Sequence, residues 1–95
     1  LTAIENEHNI SRKARLYESL SIEYKSSDLN KAERYARQAL ILIKTSDDNQ
    51  SKGNIHALLG DIALSQDSLN KAEKEYLLAV PLLTEAKAFQ RLVLV

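Results

Sequence analysis

The sequence predicts an all-α protein in which antiparallel helical hairpins lean on one another, and three features lead there. Its 95 residues hold only two glycines and one proline, and helix formers predominate over the Val, Ile, Thr and aromatic residues from which sheets are built. A five-residue segment, Leu29-Asn30-Lys31-Ala32-Glu33, returns forty positions later as Leu69-Asn70-Lys71-Ala72-Glu73. Around both copies, apolar residues fall at spacings of three and four, the period of one helix face.

Taken in order, residues 1–10 form a polar flank. A first unit spans residues 11–44. Tyr17, Leu20 and Tyr24 make the stripe of its first helix, Ser26-Ser27-Asp28 its turn, and Leu29, Ala32, Ala36, Ala39, Leu40 and Ile43 the stripe of its second. Residues 45–52 form a polar link. In a second unit, residues 53–85, Ile55, Leu59, Ala63 and His56 define the first helix. Ser65-Gln66-Asp67-Ser68 turns the chain, and Leu69, Ala72, Tyr76, Ala79, Val80 and Leu83 repeat the second stripe. Ser and Asp in each turn are suited to accept hydrogen bonds from the unpaired N–H groups that open the next helix. A short turn forces the helices of a unit to pack antiparallel.

Small residues at Ala32, Ala36, Ala39, Ala72, Ala79 and Gly60 mark close helix contacts, with Tyr17, Tyr24 and Tyr76 filling the space opposite. A glycine inside a helix costs about 1 kcal/mol relative to alanine, so Gly60 is expected to have a packing role. Pro81 lacks an N–H and crowds the carbonyl of Leu77, which predicts a bend or stop around Val80. Residues 86–95 then read as the first helix of a truncated third unit. The apolar finish, Leu92-Val93-Leu94-Val95, and the lack of methionine are expected of an excerpt from a longer protein.

Thirteen basic residues balance thirteen acidic ones, which argues against a surface given over to nucleic acid or anionic lipid. Arg12, Lys13, Arg15, Arg34 and Arg37 are interleaved with Glu18, Glu23 and Glu33, so no basic stripe emerges. No apolar run approaches the roughly 20 residues of a membrane span. Without cysteine there is no disulfide, thiol nucleophile or thiolate zinc site. The residues leave the compartment open, with a soluble chain expected and the cytoplasm favoured over the periplasm.

Catalytic and metal sites are not expected either. The stretch from Asp47 to Gly53 lacks the oxygen ligands and terminal Glu of a calcium loop and reads as a solvated interhelical loop. His8 and His56 have no partners at metal-binding or base–nucleophile spacing; His56 reads as a residue at the edge of the core and His8 as exposed. Glu5/Glu7, Asp47/Asp48 and Glu73/Glu75 sit among cations and read as solvated surface. No glycine loop is suited to phosphate, so neither cofactor nor enzymatic activity is predicted.

His56, Leu59-Gly60, Ala63, Ala72, Tyr76 and Ala79 resemble the tetratricopeptide repeat, whose pattern is an aromatic, Leu-Gly and Tyr on one helix, then Ala, an aromatic and Ala on the next. Tyr17, Leu20-Ser21, Tyr24, Ala32, Ala36 and Ala39 match it in the first unit, with a turn one residue shorter. Phe89, Leu92 and Val93 resemble the opening of a third. The likeness covers about Ser11 to Val95. It departs at His56 and Ala36, where the family has aromatics, at Ser21 and Val93, where it has glycine, and at Pro81, which comes early.

The resemblance implies a right-handed superhelical stack, an α-solenoid fragment, whose first helices line a concave surface. By the family's geometry that groove would hold Arg15, Glu18, Ile22 and Lys25, then Asn54, Ala57, Asp61, Leu64 and Ser65, then Gln90. Apolar points among charges of both signs suit an extended peptide or a partner helix. The Lys and Asn with which some members clamp a terminal carboxylate are replaced by Glu18 and Ile22, or Ala57 and Asp61.

The chain is similar to repeat arrays of bacterial regulators, upstream of sensor-kinase or DNA-binding modules. The resemblance therefore implies a non-catalytic scaffold for protein partners in signalling, or alternatively a spacer or dimerisation module with no groove ligand. An uncapped end would favour self-association through Phe89, Leu92 and Val95.

Overall fold

The computed structural model describes residues 9–94, with side chains as far as Lys87. Its described residues form four helices: α1 (Ile10–Tyr24), α2 (Leu29–Ile43), α3 (Asn49–Ser65) and α4 (Leu69–Leu94). The expectations for residues 1–8, including His8 and Glu5/Glu7, and for the side chains of Phe89, Gln90, Leu92, Val93 and Val95 fall outside the described part.

Three helices open on a short polar side chain three residues ahead of the amide it satisfies. Asn9 Oδ1 accepts from Arg12 N (2.9 Å) and Asp28 Oδ1 from Lys31 N (3.1 Å). Asp48 Oδ1 accepts from Ser51 N (3.1 Å), while its other oxygen takes the Ser51 hydroxyl (2.7 Å). This third cap corrects the expected link: α3 begins at Asn49, so the first turn of the helix occupies residues assigned to a loop.

Asp48→Ala is expected to cost about 1 kcal/mol, measured by urea unfolding. The hydrogen bonds from Ser51 hold the Asp48 carboxyl below its ordinary value of 3.8. That contribution is therefore complete above about pH 4 and fades as the pH falls through the lower folded value, a dependence the variant should lose.

The turn between α3 and α4 is equally specific. Ser68 N donates to Ala63 O (2.8 Å) and Asp67 N to Leu64 O (3.0 Å), with Asp67 left-handed at φ 59°. This pairing is a Schellman turn, with aspartate where glycine is usual. It reverses the chain directly into α4.

Helix α4 corrects the expected break at Pro81. The helix does not stop near Val80 but runs on to Leu94, so residues 86–94 continue it with no turn to begin a third unit. Pro81 and Leu77 are both exposed, so the carbonyl deprived of its N–H partner lies where water can reach it. Beyond it, Thr84 Oγ1 donates back to Val80 O (2.8 Å), and Thr84-Glu85-Ala86-Lys87 contains no glycine to cap an end.

The chain folds as two hairpins, α1 on α2 and α3 on α4, joined by packing of α2 on α3. Among the described residues no extensive contact joins α1 to α4, so the four helices do not close into a ring. Every small residue assigned to a close contact is buried: Ala32, Ala36 and Ala39 fully, and Ala72 and Ala79 to 2% exposure. Ser21, thirty-nine positions before Gly60 in the repeat, is fully buried and donates through Oγ to Ala32 O at 2.6 Å. Tyr35 stacks between Tyr17 and Tyr24, with centroids 5.9 and 5.8 Å away.

Helix α3 is buried on two sides. Gly53, His56 and Gly60 meet α4 at Leu83, Glu75 and Tyr76 respectively. Ile55, Leu58, Leu59 and Ile62 pack in one cluster with Ala32, Ala36, Ala39 and Ile43 of α2. The single predicted stripe of Ile55, Leu59, Ala63 and His56 thus mixes two faces and omits Leu58 and Ile62. A helix held between neighbours has no fully polar side, which blurs the one-sided period.

Candidate functional site

The face expected to bind is carried by α1 and α3. Arg15, Ile22, Asn54, Asp61, Leu64 and Ser65 are exposed there, and Glu18, Lys25 and Ala57 are half-buried. Ile22 and Leu64, at 54% and 44% exposure, are its uncovered apolar points. Helical capping at Asn9 and Asp48 fixes where each helix begins, and so which side chains reach this face.

Three contacts organise it. Lys25 Nζ of α1 approaches Asp61 Oδ2 of α3 at 4.0 Å, bringing together two residues expected to share the surface. Asp61 Oδ1 accepts from the hydroxyl of Tyr76 on α4, so neither carboxylate oxygen is without a neighbour. That bond to Asp61, with burial second, raises the Tyr76 phenol to about 12. Gln50 Nε2 donates to Asn54 Oδ1 at 3.2 Å, which orients the amide one turn along.

Arg15 and Glu18 border a crevice closed by Ile43, Asp48, Ser51 and Ile55. Its volume is about 10 Å³, scarcely one water, so it cannot take a metabolite or cofactor. Burial pushes the Glu18 carboxyl above its ordinary value against the pull of Arg15. Gln90, the last expected member, lies beyond the described side chains.

A second polar cluster, not foreseen, ties the later three helices together. His56 Nδ1 lies 2.8 Å from Glu75 Oε1, and Arg37 Nη2 lies 3.0 Å from Glu33 Oε2 and 3.9 Å from Glu75 Oε2. Gln66 Nε2 donates to Glu33 Oε1 at 3.4 Å. Burial alone would raise the Glu33 carboxyl, but bonds from Arg37 and Gln66 outweigh it and hold the group below its ordinary value.

His56 takes the core-edge place expected of it. Glu75 does not keep the solvated place expected of the Glu73/Glu75 pair: its side chain is only 15% exposed and faces His56 and Arg37. The one available signal was the forty-residue repeat, which sets Glu75 at the position of Tyr35, an inward-facing ring.

Among the described residues, no group of three His, Cys, Asp or Glu side chains could hold a metal, and no helix is long and apolar enough to cross a membrane. The α1–α3 face holds two exposed apolar residues, Ile22 and Leu64, and one contact between its helices, Lys25 to Asp61. Compared with family models, curated proteins and solved structures, the chain matches none of them.

Proposed function

We propose that the chain is a non-catalytic protein-interaction scaffold of the tetratricopeptide type, a right-handed solenoid fragment that takes a peptide or a partner helix on its α1–α3 face. The observation that carries this reading is the pairing of two exposed apolar points, Ile22 and Leu64, with the Lys25–Asp61 contact between the helices that bear them. Binding by a few apolar anchors among polar contacts needs no enclosed pocket. The hairpins are related by a 39-residue shift for their first helices and 40 for their second, and they leave α1 and α4 unpacked on one another, as an open stack requires.

The test is selection from a random-peptide display library, followed by NMR titration of enriched peptides into the ¹⁵N-labelled chain. Shifts should concentrate at Arg15, Ile22, Asn54, Asp61 and Leu64, and Ile22→Glu should weaken binding by about tenfold or more. Shifts elsewhere, or affinity unchanged in Ile22→Glu, would sink the proposal.

A second reading, a spacer or dimerisation module of a bacterial sensor or regulator, is favoured by a different observation. Leu69, Leu77 and Val80 of α4 stand 71%, 66% and 60% exposed, three large apolar side chains on one helix. Self-association through Phe89, Leu92 and Val95, expected from the sequence, would belong to this second reading.

A further inference from the structure

The internal repeat makes α4 the counterpart of α2, yet the two helices are treated differently. On α2, Leu29 and Leu40 are partly buried against the core cluster that includes Ile55, Leu58, Leu59 and Ile62 of α3. Forty positions on, Leu69 and Val80 are 71% and 60% exposed. With Leu64, Tyr76 and Leu77 they line an open hollow of about 400 Å³. The face of α2 that receives an apolar helix is thus repeated on α4 without its cover, so the established α2–α3 interface describes the cover required: an amphipathic helix with apolar residues three and four apart.

The described elements decide which helix of a second copy supplies it. The buried faces of α2 and α3 pack on one another within the chain, leaving Ile41 and Leu64 as their exposed large apolar residues. The side of α1 that corresponds, thirty-nine positions earlier, to Ile55, Leu58 and Ile62 carries Leu16, Ser19 and Glu23. Ser19 and Glu23 are exposed, so this end of the stack is polar. Head-to-tail growth would bury Glu23 against the apolar strip, at the cost of desolvating a carboxylate with no partner there. Among the described residues, α4 carries more exposed large apolar side chains than any other helix: Leu69, Leu77, Leu78 and Val80.

We propose that the α4 strip of Leu69, Leu77 and Val80 is an isologous docking surface, on which α4 of a second copy of this chain packs about a two-fold axis. The proposal stands apart from the peptide-binding reading, which uses α1 and α3, and moves self-association from the segment of Phe89, Leu92 and Val95 to an earlier part of α4. A two-fold contact closes on itself and stops at the dimer. The exposed apolar centre of Leu64, Leu69, Leu77 and Val80, doubled by symmetry, amounts to roughly 600–800 Å². Stable interfaces bury about 1,200 Å² or more, so a reversible dimer is expected with a dissociation constant in the range of tens of micromolar.

Sedimentation velocity on the 95-residue chain, from about 10 to about 500 μM, tests this. A monomer–dimer equilibrium that goes no further is expected. Leu77→Glu and Val80→Glu should each weaken it by about tenfold or more. Both residues are exposed in the single chain, so each variant should keep its helical circular dichroism and melting curve. Ile22→Glu, which disables the peptide face, should leave the dimer intact, so the two proposals can fail separately. Assembly beyond the dimer, or a dimer indifferent to both glutamates, would overturn the proposal. A chain monomeric throughout would also overturn it and assign the strip to a helix of another molecule.

Discussion

Gly60→Leu is expected to lower the melting temperature by about 10 °C or more, read from the thermal transition by circular dichroism. A Cβ at position 60 would lie 2.6, 2.8 and 2.9 Å from Cε1, Cδ1 and Cζ of Tyr76, inside any tolerable contact. The ring cannot simply swing away, because its hydroxyl is tied to Asp61 and it stands over the contact between α3 and α4. Overpacking of this kind costs about 3 kcal/mol or more, against a gain of about 1 kcal/mol from removing glycine from a helix. A domain of this size has about 5 kcal/mol of stability to lose, so a net cost of about 2 kcal/mol or more removes a large part of it. Gly60→Ala, with one carbon added, should remain folded but melt lower. A leucine variant that melts like the parent would show that the helices do not meet at this glycine.

Copying Tyr76 of the second unit into the equivalent place of the first should not improve the packing: Ala36→Tyr is expected to destabilise by more than about 3 kcal/mol. The reason lies in a reciprocal exchange of volume between the hairpins. The second unit sets Gly60 against Tyr76; at the equivalent places the first sets Ser21 and Ala36, both fully buried. Serine fills part of the space and anchors itself to Ala32 O, leaving room at position 36 for a methyl group only. Combining Ser21→Gly with Ala36→Tyr should recover a substantial part of the loss, giving a coupling energy of about 1–3 kcal/mol in a double-mutant cycle by urea unfolding. Additive effects would mean that the two positions do not share one space.

Both results bear on the α1–α3 face. The contact of Gly60 with Tyr76 sets the depth of α4 against α3, and Tyr76 in turn holds one oxygen of Asp61. Asp61 also meets Lys25, so the packing inside the second hairpin reaches the surface where the hairpins adjoin. A ligand on this face would meet an aspartate already oriented by a buried glycine contact.

The two turns, the apolar stripe of α2 and the small contact residues were readable in the residues themselves, because they are local. A polar residue before a run spaced at three and four is a helix start whatever surrounds it, and Ala32, Ala36, Ala39, Ala72 and Ala79 leave room wherever they pack. The placing of Arg15, Ile22, Asn54, Asp61 and Leu64 on one face came from the resemblance to a known repeat pattern, and all five are exposed. What the residues did not disclose was partnership. Glu75 reads as one more surface carboxylate until α3 and α4 pack and bring His56 to 2.8 Å. Gly53 reads as part of a loop until Leu83 closes over it.

The sequence by itself determined an all-helical chain, its internal repeat and the positions where helices approach closely, because hydrogen bonding and side-chain period act within a few residues of one another. Only the tertiary structure decided that Pro81 lies on the solvent side of one continuous helix, that α3 is buried on two faces, and that the repeated apolar face is covered on α2 but bare on α4. Burial depends on which neighbour is present, and two nearly identical stripes meet different fates when one has a neighbouring helix and the other has none.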